Sequence, residues 1–298
     1  MNRSLLATLL IVAACDKPNS SPDTMPPAAA TTAPSAMPSS MPSAMASAAP
    51  EAAAPKAAPT RTDTFATPGG ELGVTPIHHA TMLLQYAGKN IYLDPVSKDA
   101  SYEGLPKADY IFVTDIHPDH MDPDGIAKVK KDGTVMVGPP AVHATMPMGI
   151  ILKNGETHDF GTFKVEAVPM YNLTRGPAAG KLFHDKGRGD GFVFNFAKAA
   201  GAAKSDAGMG DAGAMVSRVY ISGDTECTPE MKALKNIDVA FVCMNLPYTM
   251  PPVEAAACVN AFKPKVLFPF HYKDSNLDEL TPAIKPNSGI EVRKRSWY

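Results

Sequence analysis

The densest group of metal-binding residue types in the sequence is Asp115-Ile116-His117-Pro118-Asp119-His120. Two further candidates stand far along the chain, Asp224 in Ser222-Gly223-Asp224 and His271 in Phe268-Pro269-Phe270-His271. Imidazoles combined with carboxylates suit zinc, iron or manganese. Their side chains face one way only if the 115–120 loop turns sharply, and Pro118 favours such a turn.

Each of these groups ends a short apolar run. The runs ADYIFVTD, RVYISGD and KVLFPFHY read as buried strands bounded by polar residues. TVMVGPP and VAFVCMNLP are of the same kind, and TMLLQY, NIYLDP and GTFKVEAVPM read as strands separated by turn residues. MDPDGIAKVKK, TPEMKALKN and PPVEAAACVNAF carry helix signals: a capping residue, Pro in the first turn, or Lys near the end. Strands in a meander, then strands alternating with helices, predict a layered α/β domain. In such sheets ligands bind beyond the carboxyl ends of the strands, where Asp115, Asp224 and His271 fall.

This set of motifs resembles the metallo-β-lactamase superfamily. The carrying residues are TDIHPDHMD at 114–122, SGDTE at 222–226, the His of FPFHY, and an opening hairpin IHHATMLLQYAGKNIYLDP that places His79 and Asp94. The likeness spans about residues 70 to 275. It resembles the branch that includes ascorbate-6-phosphate lactonase and N-acyl-phosphatidylethanolamine phospholipase D. It implies a four-layer αββα sandwich with a metal site at one edge between the sheets. It also implies hydrolysis by a metal-activated water, with one or two divalent ions, zinc foremost and manganese or iron as alternatives. Carried over by position, His117 belongs to a first metal site. Asp119, His120 and His271 belong to a second, Asp224 bridges the two, and Asp119 also orients the attacking water.

Two positions depart from the family pattern. Asp115 stands where the motif begins with His, and Tyr171-Asn172 follow the strand VEAVPM where another His is expected. Asp115 can bind a hard cation through oxygen, with Asn172 or Tyr171 adding a ligand. The second site is complete. The expectation is one well-occupied metal and a weaker or different second one; the alternative is a degenerate, metal-free fold that only binds. Beyond Tyr171 the segment RGPAAGKLFHDKGRGDG carries His184, Lys186 and Arg188. His184 is expected to act in catalysis, forming with Lys186 or Arg188 a clamp for an anionic group. His79 is expected behind a metal ligand, orienting it.

No phosphate-loop, nucleophile-elbow or CxxC pattern is present. A formal net charge of -2 leaves no electrostatic footprint for nucleic acid. The expected partner is a small-molecule substrate, with an anionic one as an option, and a phospholipase-like action on membrane lipid is a further reading. IEVRKRSW reads as a closing edge strand whose charges discourage pairing. Of 4 Cys, three lie in the α/β part, allowing at most one disulfide; Cys243 sits in an apolar run.

The amino-terminal part is different material. Residues 1–14 carry Arg3 and a short apolar run, too short to span a bilayer and fitting a removed export signal. Val12-Ala13-Ala14-Cys15 resembles a bacterial lipobox, which implies a lipid on Cys15 and a periplasm-facing protein in the cell envelope, with Asp16 favouring the inner membrane. Residues 15–64, rich in Ala, Pro, Ser and Met, have no apolar period and read as a tether. The α/β domain is expected over 65–298, interrupted by a Gly/Ala-rich loop at 198–217.

Overall fold

The computed structural model describes residues 63–147, 149–196 and 215–298. The expected signal, Cys15 and nearly all of the tether lie outside the described residues, as does most of the 198–217 loop. Asp63 and Thr64, expected to end the tether, instead open the first strand.

Two seven-stranded sheets form the domain, and each keeps its strands in chain order. The first contains β1 (Asp63–Thr67), β2 (Gly70–His78), β3 (Thr81–Tyr86), β4 (Lys89–Leu93), β5 (Tyr110–Phe112), β6 (Val135–Gly138) and β7 (Ile150–Ile151). The second contains β8 (Thr157–Asp159), β9 (Lys164–Met170), β10 (Gly189–Asn195), β11 (Arg218–Ile221), β12 (Val239–Cys243), β13 (Val266–Phe270) and β14 (Glu291–Val292). Both follow one plan. Four antiparallel strands come first, and the last of them then begins a run of parallel pairs. The parallel pairs need crossovers, and several are helical: α1 (Pro123–Val129) joins β5 to β6, α3 (Pro229–Ala233) joins β11 to β12, and α4 (Pro252–Phe262) joins β12 to β13. A short α2 (Pro140–Thr145) follows β6, and α5 (Leu280–Ala283) precedes β14.

Side-chain alternation sets the layers. On β3, Met82, Leu84 and Tyr86 join the large core, while Leu83 turns to a separate cluster with Ile126 and Val129 of α1 and Val142 of α2. Phe112 of β5 faces inward, and Ile111 faces the helices. The inner core is aromatic: Phe112 meets Phe192 and Phe194 of β10 edge-on at 5.2 and 5.0 Å. Edge-on pairs of this kind contribute beyond their buried area. Over the outer face of the second sheet, Ala255, Ala256, Val259 and Phe262 of α4 are buried. Helix, sheet, sheet, helix is the αββα order expected.

The helix starts follow their sequence signals. The Asp122 side chain caps α1 by accepting from Asp124 N–H at 2.9 Å, and Thr228 caps α3 by accepting from Met231 N–H at 3.1 Å. The closing segment forms the expected edge strand, but only over Glu291–Val292. Arg293 and Arg295 both donate to Asp63 of β1, so these cations join the outer strand of one sheet to that of the other. A buried carboxylate on β1 explains the difference: it must be paired, and these are the cations that reach it. Cys227 and Cys258 form a disulfide between the loop after β11 and α4, and Cys243 is free and buried. Among the described residues no helix is long and apolar enough to cross a membrane.

Candidate metal centre

The strand ends meet because small residues let them. The Asp190 N–H of β10 donates to the Thr114 carbonyl at the end of β5, at 3.0 Å. This bond ties the 115–120 loop of the first sheet to the second. It needs Gly189, where an added Cβ would lie 2.9 Å from the Thr114 carbonyl oxygen. Gly223, just before Asp224, has a φ of +58° and no room for a Cβ beside Met170 Sδ. His79, Asp94 and His271 also adopt left-handed backbone, with φ of 56°, 42° and 46°. Such conformations in non-glycine residues persist only where the surroundings enforce them, and they gather at functional sites.

Asp119, His120, Asp224 and His271 form one cluster whose ligand atoms all lie within 4.8 Å of one another. Asp115, His117 and His184 form a second with the same spread. Asp224 lies between the two: its Oδ2 is 3.4 Å from His120 Nε2 and 3.4 Å from His184 Nε2, and its Oδ1 is 3.3 Å from His271 Nδ1. His120, His184, Asp224 and His271 are all buried.

The rings of His120 and His184 are held from behind. His120 Nδ1 is 2.8 Å from Asp94 Oδ2, and Asp94 also accepts from the Thr114 N–H and hydroxyl. A ring that donates Nδ1–H to a carboxylate presents the lone pair of Nε2. His184 repeats the arrangement with an amide: its Nδ1 is 2.6 Å from Asn172 Oδ1. Asn172 is fixed in turn by donating to the Tyr248 carbonyl and to Glu226. Glu226 also accepts the backbone N–H groups of Leu173, Thr174 and Arg175, which shapes the loop carrying Asn172. Asp119 is held by His79 Nε2 at 3.0 Å, and His79 Nδ1 lies 2.8 Å from the Tyr298 hydroxyl.

The residues fit a bound metal. His120 Nε2, His184 Nε2, both nitrogens of His271 and Asp224 Oδ1 are buried without a hydrogen-bond partner. Buried polar atoms are rarely left so, and here the orphaned atoms converge. Their charges agree. Burial opposes ionisation of Asp224, but the His271 and His120 rings outweigh it and hold the carboxyl well below its usual range. Burial opposes protonation of His120, yet Asp224, Asp119 and Asp94 together raise its pKa well above the ordinary value. A site that attracts a proton this strongly is built for positive charge.

Several expectations change in this geometry. The Asp115–His117 cluster gains its second imidazole from His184, not from the residues directly after β9. Asn172 is not a ligand in it: its amide oxygen is occupied in orienting His184. Tyr171 points away, its hydroxyl donating to Glu230 at 2.9 Å. Lys186 pairs with Glu230 at 2.6 Å and lies over the Tyr171 ring, so it makes no clamp with His184. Arg188 is likewise engaged, with both Asp115 oxygens. In each case a local partner of opposite charge or matching polarity is nearer than the cleft. Asp94, which the opening hairpin already placed, stands behind His120. Tyr298 and Glu226 are contributors that motif reasoning passes over.

The centre opens into a cleft of about 770 Å³. Phe183, Tyr248 and Val96 give it apolar wall, and Lys98 and Lys273 stand at its exposed rim. His79, His117, Asp119, His184 and Asp224 face into it.

Two stacked sheets with paired His/Asp clusters at their strand ends define a metallo-hydrolase type of fold and site. Residues 73–271 match the β-lactamase superfamily domain, and the chain belongs to that family. A metal-dependent hydrolase of the UPF0173 group from Geobacillus sp. (strain WCH70) is 25% identical over 248 residues, covering 74% of this chain and 99% of that protein. The solved structure of a Parabacteroides distasonis protein, described as a metal-dependent hydrolase, is 41% identical with a TM-score of 0.68, covering 78% of this chain and 97% of that one. Igni18, a metallo-hydrolase from Ignicoccus hospitalis, shares the fold at 17% identity and a TM-score of 0.56, covering 75% and 94%.

Proposed function

We propose that the protein hydrolyses a small ester, lactone or phosphodiester, using a water activated at the cluster of Asp119, His120, Asp224 and His271. The observation that carries this is the convergence of buried, unpartnered imidazole nitrogens and a carboxylate oxygen on one point at the base of a cleft. The names of the relatives in the UPF0173 group and from Parabacteroides distasonis support it. A divalent metal in this cluster supplies Lewis acidity towards the substrate oxygen and towards water.

The remaining work falls to the chain. Asp94 and Asn172 keep the Nε2 lone pairs of His120 and His184 directed inward. Asp119, at the mouth and with its side chain 44% exposed, is the carboxylate that orients the water. His79, backed by Tyr298, holds Asp119 in place. The lipobox-like Val12–Cys15 supports a lipid-anchored, periplasm-facing placement.

The test is turnover of one representative each of an aryl ester, an aliphatic lactone and an aryl phosphodiester by the full chain, after chelation and reloading with zinc, manganese or iron. Turnover of one class is expected, lost on chelation and reduced about 10²–10⁴-fold in Asp119→Asn. Absence of turnover with every class in the reloaded protein would count against the proposal. A lipid substrate is the second reading. It is favoured by Tyr248, 43% exposed and packed on Phe183 at the cleft, with Leu246 exposed nearby in sequence. Release of fatty acid or headgroup from phospholipid vesicles, without turnover of soluble esters, would select it.

A further inference from the structure

The two clusters are unlike in one respect. In the cluster around His120 and His271 the inward imidazole nitrogens and Asp224 Oδ1 lack partners, whereas in the other cluster most ligand atoms are already satisfied by protein. Asp115 is fully buried, and both of its oxygens are engaged by one guanidinium: Arg188 Nε donates to Oδ1 at 3.0 Å and a terminal Arg188 nitrogen donates to Oδ2 at 3.0 Å. His117 is occupied at both nitrogens, with Nδ1 2.8 Å from Asp115 Oδ2 and Nε2 3.4 Å from the same Arg188 nitrogen. Only His184 keeps an unpartnered nitrogen there, and that atom is nearer to Asp224, at 3.4 Å, than to Asp115, at 3.8 Å.

We propose that Arg188 is the resident cation of the Asp115–His117 cluster, taking the place of a metal ion there, so that the protein binds a single ion at Asp119, His120, Asp224 and His271. Three physical facts carry this. A guanidinium does not lose its proton in proteins, so an incoming ion cannot displace it by proton release as it displaces a proton from histidine. The bidentate pair with a carboxylate is charge-assisted and geometrically matched, and an ion at Asp115 must break it. A divalent ion placed there would also lie beside a fixed positive charge in a buried setting, where repulsion is weakly screened. The backbone beside Arg188 is fixed, because Arg188 directly precedes β10, whose Asp190 N–H is bonded to Thr114.

The proposal rests on the metal-dependent reading above, and its test separates the two. The full chain is stripped, titrated with Zn²⁺ alone, dialysed and assayed for zinc per protein, beside Arg188→Met, which keeps the aliphatic stem. The expected result is about one equivalent in the parent and about two in the variant, with the second equivalent bound at least tenfold more tightly than in the parent. Two equivalents in the parent, or one in both proteins, would overturn the role given to Arg188 and leave the hydrolase reading standing. No zinc in either would remove the metal-dependent reading and this inference together. If Arg188→Met loses its far-ultraviolet circular dichroism, the double variant Asp115→His/Arg188→Met, which leaves no buried carboxylate unpaired, replaces it with the same expected and contrary outcomes.

Discussion

Asp94 Oδ2 lies 2.8 Å from His120 Nδ1, although Asp94 follows β4 and His120 sits in the loop after β5. Neighbouring parallel strands in register, Leu93 opposite Phe112, bring the two residues together. The pair settles the tautomer of His120 and so the direction of its free lone pair. Asp94→Asn keeps the shape but removes the charge. It is expected to weaken metal affinity about 10–100-fold, the range for lost outer partners of metal-binding histidines. Competition against a chromophoric chelator measures it, and unchanged affinity would deny Asp94 this role.

Gly223 sets the position of Asp224. Its φ of +58° disfavours a side chain, and a Cβ would run into Met170 Sδ. Gly223→Ala is expected to cost about 2 kcal/mol or more of stability. Urea unfolding of parent and variant checks this.

The Cys227–Cys258 bond spans a sequence separation of 31 residues and attaches α4 to the loop that follows Asp224. Chain-entropy reasoning gives about 3–4 kcal/mol for closing a loop of this length. Cys258→Ser, or reduction of the parent, is expected to lower the urea midpoint accordingly. The free Cys243 is buried, and burial pushes its thiol up to about 12, so it should resist alkylation until the protein unfolds.

Asp190 provides a pH signature away from the metal ligands. Burial raises its carboxyl to about 7, and the Asn154 amide offsets this only in part. The folded protein therefore holds a proton that the unfolded chain releases near its ordinary value of 3.8. The benefit is complete below that value and is lost as pH rises towards and through about 7. Asp190→Asn should raise stability relative to the parent at pH 8 and give little gain at pH 4. Paired urea titrations at the two pH values test the sign, and a gain confined to pH 4 would contradict it.

Much of the layout was legible because buried strands are short apolar runs and their polar ends mark where the chain leaves the sheet. Asp115, Asp224 and His271 could be placed at strand ends from the sequence, and the structure brings all three to one edge. His184 was harder to place as a partner of His117. It does not follow β9 directly but lies late in the segment before β10, and it reaches the site because Asn172 bonds both its backbone N–H and its ring. No local pattern announces such a return. The roles of Lys186 and Arg188 were obscure for a related reason. Sequence shows a cation but not which carboxylate is nearest, and here Glu230 and Asp115 claim them. The closing basic segment was read as edge protection because its true partner, Asp63, lies at the other end of the domain.

The central claim is that Asp119, His120, Asp224 and His271 hold a metal on which function depends. The most direct measurement is the metal content of the full chain, purified without chelator, beside His120→Ala and His271→Ala. The account predicts bound transition metal in the parent and its loss from both variants while their circular dichroism remains native. A folded parent that stays metal-free after reconstitution, or variants that keep the parent's metal content, would contradict it.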